Sequence, residues 1–383
     1  MLMEIDLDKD EKQKGSNIKA IGVGGAGGNA INTMIDYGLD DVEFIIFNTD
    51  IKDIKKSKAK VRLQIGKQLT RGLGTGSDPQ KGKKAAEESF EEIRGILEGS
   101  AMIFLAAGMG GGTGTGASPV IASLAKEMGI LVIGIVNRPF NFEGSKRMNN
   151  AQNGILELKK NVDTLIVIPN EKLKDEFPDM TMMNAFKKAD EVLYNATKAV
   201  ADIIHKSGYI NVDFADVKTV TENKGYALIG IGEAEGEDKA EKAAIAAMDN
   251  PLLSDVSLNN AEGILINITA GDDFKADEYQ KIHKLIIDQA GNDGELIPGL
   301  VNDPDYQNKV KVTLIATGLN IEDEKEYIIG TLKNDIDTEE DIRSVLKRVR
   351  GSNEMGLKKK NENKNKVNKP KMEVPAFLRK FSN

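Results

Sequence analysis

Gly110-Gly111-Gly112-Thr113-Gly114-Thr115-Gly116 follows the apolar run Ala101–Ala107 and leads into a helical pattern that ends at Met128. Five glycines in seven residues carry a backbone-entropy cost, so the chain needs positive φ angles or very close backbone approach there. At a strand-to-helix junction that composition wraps amide N–H groups around an anion at the helix N-terminus. The two threonines add hydroxyls without bulk. The ligand that fits this pattern is a phosphate.

Working outward, apolar strands alternate with amphipathic helices from Ile18 on, the signature of an α/β fold with a Rossmann-like parallel sheet. Strands are expected at Ile18–Gly24, Val42–Asn48, Ala101–Ala107, Ile130–Val136 and Val162–Ile168. Helices are expected near Ala26–Tyr37, Pro79–Leu97, Ser118–Met128 and Ser145–Lys159. Right-handed crossovers place every strand C-terminus on one edge, where such folds bind ligands. Thr181–Lys206 reads as one long helix: Ala185, Ala189, Val192, Ala196, Ala199, Val200, Ile203 and Ile204 keep a helical period, and Gly208 follows as a stop. Such a helix makes a spine between two domains. A smaller α/β unit comes next, with strands at Tyr226–Glu233, Gly263–Ala270, Glu295–Val301 and Lys309–Thr317 and helices at Glu237–Met248 and Asp277–Ala290.

Composition narrows the functional classes. With 383 residues the chain is too long for one core. No apolar stretch approaches the ~20 residues needed to span a bilayer, and the lysine-rich, acidic start lacks the apolar core of a signal peptide. The absence of cysteine excludes disulfides and thiolate zinc sites, and two distant histidines, His205 and His283, make no metal cluster or Ser-His-Asp triad. A net charge of −8, no Trp and few aromatics argue against a nucleic-acid-binding surface. A cytoplasmic protein is expected.

The first strand runs into Gly22-Val23-Gly24-Gly25-Ala26-Gly27-Gly28-Asn29, which contains GxGxxG with Asp50 at the end of the second strand. That is the dinucleotide fingerprint with its ribose-binding acid, and it keeps an NAD-dependent enzyme open. The glycines continue past the fingerprint, however, and a dehydrogenase has no use for a second, denser loop at 110–116. Two glycine loops on neighbouring strand ends suit a mononucleotide triphosphate better. GxxxxGK[ST] is absent, so phosphate charge must be met by backbone dipoles and Mg²⁺ without a Walker lysine. Glu143 and Arg147 follow another strand end, placed to meet ribose hydroxyls and a base or phosphate, although a capped helix start uses the same residues. Asp190, in the long helix, can take a bidentate pair from the N1–H and exocyclic amine of guanine; a solvated helix charge is the plainer reading.

In Gly208-Tyr-Ile-Asn211-Val-Asp213-Phe-Ala-Asp216 two carboxylates share a face if the segment turns helical, with Asn211 as N-cap. They can orient and polarise a water, or simply begin a helix. This segment follows the long helix, roughly 30–40 Å from Asp190 at 1.5 Å per residue, and so cannot serve its own chain's nucleotide. Head-to-tail stacking resolves the conflict by carrying one copy's loop into the next copy's pocket, and a heterologous interface that does not close makes a filament.

These residues resemble the FtsZ family of bacterial tubulin homologues. Gly110–Gly116 is similar to the tubulin-family GGGTGTG signature, and Gly208–Asp216 to its GxxNxDxxD catalytic loop. Gly225–Gly236 through Asn250-Pro-Leu-Leu253 resembles its second domain. The resemblance implies a self-assembling GTPase that polymerises at the division site, with a plasmid-segregation filament GTPase as the alternative. It implies that Gly24, Gly25, Ala26, Gly27, Gly28 and Asn29, with Gly110, Gly111, Gly112, Thr113, Gly114, Thr115 and Gly116, hold the phosphates of GTP or GDP and Mg²⁺. Glu143 and Arg147 would contact the nucleotide, Asn170 would lie near sugar and base, and Asp190 would read guanine. Asn211, Asp213 and Asp216 would complete the neighbouring subunit's site, with no side chain ligating the metal directly.

The implied organisation is an N-terminal extension (1–17), a GTP-binding domain (18–180), a central helix (181–207) and an activating α/β domain (208–320). An acidic segment with a short amphipathic helix (321–350), a disordered lysine-rich linker (351–371) and a terminal peptide (372–383) follow. By resemblance, Pro375, Phe377, Leu378, Arg379 and Phe381 bind membrane-tethering and regulatory division proteins beneath the membrane at midcell. No direct nucleic-acid contact or membrane insertion is implied. A linker of about 20 residues reaches about 25 Å, enough for weak contacts to add along a filament. The chain departs from the family at Ala26, where glycine is common, at Lys239, where arginine is common, and in the length of residues 322–351.

Overall fold

A computed structural model describes residues 17–39, 42–176, 179–205, 210, 214–250, 258, 261–291 and 295–319. The expectations for the N-terminal extension up to residue 16, Gly208, Asn211, Asp213 and everything from residue 320 on lie outside the described residues, including Pro375, Phe377, Leu378, Arg379 and Phe381.

Six strands of the first half run parallel: β1 (Ile18–Val23), β2 (Glu43–Asn48), β3 (Val61–Gln64), β4 (Met102–Gly108), β5 (Leu131–Arg138) and β6 (Thr164–Pro169). Between them lie α1 (Gly24–Asp36), α2 (Ile51–Lys56), α3 (Lys67–Thr70), α4 (Pro79–Glu88), α5 (Phe90–Leu97), α6 (Thr113–Glu127) and α7 (Ser145–Lys159). After β6 come α8 (Asn170–Glu176) and the 24-residue α9 (Met182–His205). The second half adds α10 (Phe214–Thr221), β7 (Gly225–Glu235), α11 (Lys239–Met248), β8 (Gly263–Ala270), α12 (Ala276–Ala290), β9 (Glu295–Asn302) and β10 (Lys309–Thr317).

The parallel strands are apolar on both faces, as burial on both sides demands. Ile18, Ala20, Phe104, Ala106, Ile133, Ile135, Ile166 and Ile168 face α1, α9 and α10, while Ile21, Val23, Ile103, Leu105, Val132 and Val167 face α5, α6 and α7. The two halves do not form separate sheets. One ten-stranded sheet runs β3-β2-β1-β4-β5-β6-β7-β10-β8-β9. β7 is long enough to pair its first residues, Gly225–Ala227, in parallel with Thr164–Ile166, while most of its length pairs antiparallel with β10.

Several elements differ from expectation for identifiable reasons. The helix expected over Pro79–Leu97 is two, broken at Ser89, whose hydroxyl turns away to accept the Gly66 N–H at 3.1 Å. The helix expected from Ser118 begins at Thr113, so half of the glycine run is its first turn. Likewise α1 begins at Gly24, inside the first glycine loop. The edge strand β3 and the short helices α2, α3 and α8 carry too little periodicity to announce themselves.

Candidate functional site

At the C-terminal ends of β1, β4, β5 and β6 the sheet leaves a cavity of about 490 Å³, the place where doubly wound sheets bind ligands. Gly25, Ala26 and Asn29 of α1 line one wall, and Gly111, Gly112, Thr113 and Gly114 line the next. Neither α1 nor α6 has a side chain capping its N-terminus or an acidic residue in its first turn. Their first amide N–H groups and the positive ends of both dipoles are left for an anion. Arg147 is the one basic side chain among the described residues lining the cavity, so backbone carries most of the positive potential.

The remaining glycine-loop residues named in the sequence stand behind that surface and build it. Gly24 adopts φ +75 against the backbone of Gly114, and a Cβ on Gly27 would collide with the Ala106 carbonyl. A Cβ on Gly116 would collide with the Pro79 carbonyl of α4. Gly110, at φ +99, packs on the Arg147 carbonyl and donates its N–H to the Thr115 hydroxyl at 2.9 Å. Gly28 has open space around it. Thr115 and Gly116 instead line a larger groove of about 1010 Å³ among α4, α6 and α7. That groove has charges of both signs along its length, and the α4 N-terminus that reaches it is already capped by Asp78, which accepts the Gln80 N–H at 2.9 Å, so the smaller cavity is the better anion site.

Hydroxyls tie the loops together beneath the cavity. The buried Thr49 and Thr113 hydroxyls share a hydrogen bond of 2.7 Å across 64 residues, and Thr75 lies 3.5 Å from Thr113. Sequence reasoning passed over Asn48, Thr49, Asp53, Thr75 and Asn137, all of which line the cavity. The available signal was position: Asn48, Thr49 and Asn137 stand at the ends of expected strands, on the edge where such a site forms.

The far end of the cavity holds Glu143, Arg147, Asn170, Phe186 and Asp190. Glu143 accepts the Phe140 N–H at 2.9 Å and pairs through its other oxygen with the Arg147 guanidinium. Asn170 opens α8 with a buried side-chain oxygen that has no protein partner. Desolvation by burial pushes the Asp190 carboxyl up from 3.8 to about 7.

Of the predicted catalytic residues only Asp216 is described, and it lies elsewhere. Asp216 is exposed on α10, whose last residue, Thr221, accepts the Thr164 hydroxyl at the first residue of β6. α10 therefore lies at the N-terminal edge of the parallel strands and the cavity at the C-terminal edge, with the length of β6 between them. From Asp190 to His205 α9 runs about 22 Å along its axis, beyond side-chain reach.

Residues 17–178 match the model of the tubulin/FtsZ family GTPase domain, and residues 225–320 that of the FtsZ family C-terminal domain. The cell division protein FtsZ of Buchnera aphidicola subsp. Schizaphis graminum is 42% identical over 374 residues, covering 95% of this chain and 97% of that one. The chain belongs to the tubulin/FtsZ family. It is a tubulin-like GTPase of the cell-division class, binding GTP and GDP. Among solved structures, the empty FtsZ dimer of M. jannaschii superimposes with a TM-score of 0.77 at 42% identity, covering 81% of this chain and 90% of that chain. CetZ1 of Haloferax volcanii, at 20% identity, shares the fold with a TM-score of 0.71 over 82% of this chain and 99% of that chain. Among the described residues no helix is long and apolar enough to cross a membrane.

Proposed function

We propose that the cavity holds GTP, and that copies of the chain stack head to tail so that the segment from Asn211 to Asp216 of one copy completes the pocket of the next. The triphosphate lies on Gly25, Ala26, Asn29 and Gly111–Gly114, shaped from behind by Gly24, Gly27, Gly110, Thr115 and Gly116, with Gly28 in open space beside them. Glu143 and Arg147 meet the nucleotide, Asn170 meets sugar and base, and Asp190 takes the guanine edge. Asn211, Asp213 and Asp216 of the neighbouring copy orient and polarise the water that attacks the γ-phosphate.

The observation that carries this reading is the placement of cavity and α10 on opposite edges of one sheet. A chain with its two half-sites at opposite ends completes a site through a head-to-tail interface, which makes an open filament when its rotation does not close. Large apolar side chains support it: Leu73, Phe142, Met183 and Phe186 are exposed around the cavity mouth, and Ile210 near α10.

Mg²⁺ fits this site through the phosphates and water. Among the described residues no three His, Cys, Asp or Glu groups gather, while Asp50 and Asp53 line the cavity as the nearby carboxylates. When bound, the ion neutralises charge developing on the phosphate oxygens. In this reading residues 18–180 bind nucleotide, 181–207 connect, and 208–320 activate the neighbour. The peptide with Pro375, Phe377, Leu378, Arg379 and Phe381 tethers filaments to membrane-bound division proteins at midcell.

Mixing two inactive variants tests the arrangement. Asp216→Ala keeps GTP binding and loses most turnover, while Asp190→Ala binds GTP poorly but keeps its loop. Mixed, they regain turnover at junctions where an intact pocket meets an intact loop. A mixture no more active than the sum of its parts contradicts the proposal.

A further inference from the structure

We propose that Asn137 contacts a ribose hydroxyl and makes the site discriminate against nucleotides that lack it. The inference rests on the nucleotide placement proposed above and adds a residue to it.

Asn137 lies near the end of β5, registered against Gly108 of β4 on one side and Ile168 of β6 on the other. The proposed phosphate surface is at the ends of β1 and β4, and the proposed base contacts, Asn170 and Asp190, follow β6. β4 and β6 are two strand spacings apart, about 10 Å, with β5 midway. A nucleotide laid across this edge therefore places its sugar over the end of β5.

The chemistry at that point is unspent. Asn137 is among the residues lining the cavity, is only 6% exposed, and its buried amide oxygen has no hydrogen-bond partner in the protein. Buried polar groups without partners are uncommon and costly, which marks a place where a ligand completes the bonding. A carboxamide offers an acceptor and two donors, and a half-turn about its last bond exchanges which faces the cavity. A sugar hydroxyl, both donor and acceptor, satisfies either arrangement. Glu143, the residue whose type first pointed to ribose, already has one oxygen on the Phe140 N–H and the other on Arg147. The Asn137 amide oxygen has no such engagement.

The test is equilibrium binding of GTP, 2′-deoxy-GTP and 3′-deoxy-GTP to the nucleotide-depleted full chain, below the concentration at which it assembles. The wild type is expected to favour GTP over at least one deoxy analogue by about tenfold. In Asn137→Ala that ratio falls to within about twofold of unity through loss of GTP affinity, with the affinity for that analogue nearly unchanged. Asn137→Ser is measured alongside, and should the alanine variant fail to fold, a ratio at least threefold below wild type in the serine variant carries the same result. A wild type that binds all three nucleotides alike overturns the sugar assignment alone. A ratio that survives both substitutions does the same. A wild type that binds none of them overturns the nucleotide placement as well.

Discussion

Burial in the cavity wall costs Asp190 hydration, and its carboxyl is pushed up from 3.8 to about 7. In the proposed site guanine donors bond the ionised form, so binding below that pH must first remove a proton. GTP affinity is expected to rise with pH through 7, being about tenfold weaker at pH 6 than at pH 8, and Asp190→Asn should flatten the profile in a binding titration. The raised value has a stability consequence of fixed sign. The nucleotide-free fold holds this proton more tightly than the unfolded chain, so the contribution is full below about pH 4 and lost as pH rises to about 7. Melting at pH 5 and pH 8 should therefore show a larger loss for wild type than for Asp190→Asn. Deeper in the site, Thr49→Val leaves the buried Thr113 hydroxyl with only its longer contact to Thr75. A cost of about 1–3 kcal/mol in urea unfolding is expected, with no change in the surface exposed on unfolding.

Between α4 and α6 the helices approach so closely that Gly82 and Gly116 have no room for a methyl group: one would strike the Gly112 carbonyl, the other Pro79. This contact fixes the phosphate loop from behind. Gly82→Ala is expected to destabilise by about 1–3 kcal/mol or more, whereas Gly28→Ala, with open space around it, should be close to neutral. The glycine run was legible as a loop of close backbone approach at a strand end, because its composition has few other uses. What composition cannot reveal is which glycines face the ligand and which exist to let helices touch. The break at Ser89 was hidden for a related reason, since a hydroxyl bound to a backbone N–H 23 residues away leaves no local signal. Asn137 was equally silent, because an asparagine at a strand end is identified as a binding residue only when its surroundings leave it unpartnered.

Across the whole molecule the parallel sheet sets the polarity of function. Alternating strands and helices, the long α9 and the two glycine loops were all readable from periodicity, and with them the edge on which the cavity forms. The continuous ten-stranded sheet was not, because the pairing of Gly225–Ala227 with Thr164–Ile166 depends on register between distant segments. That pairing, with the Thr164–Thr221 hydrogen bond, holds α10 at the edge opposite the cavity, the placement on which the proposed sharing of a site between copies rests. The most direct test is GTP turnover per subunit measured across a wide range of protein concentration. Completion of the site by a neighbouring copy predicts almost no turnover below a threshold concentration and a constant rate per assembled subunit above it. A rate per subunit that stays the same down to the most dilute samples would contradict it.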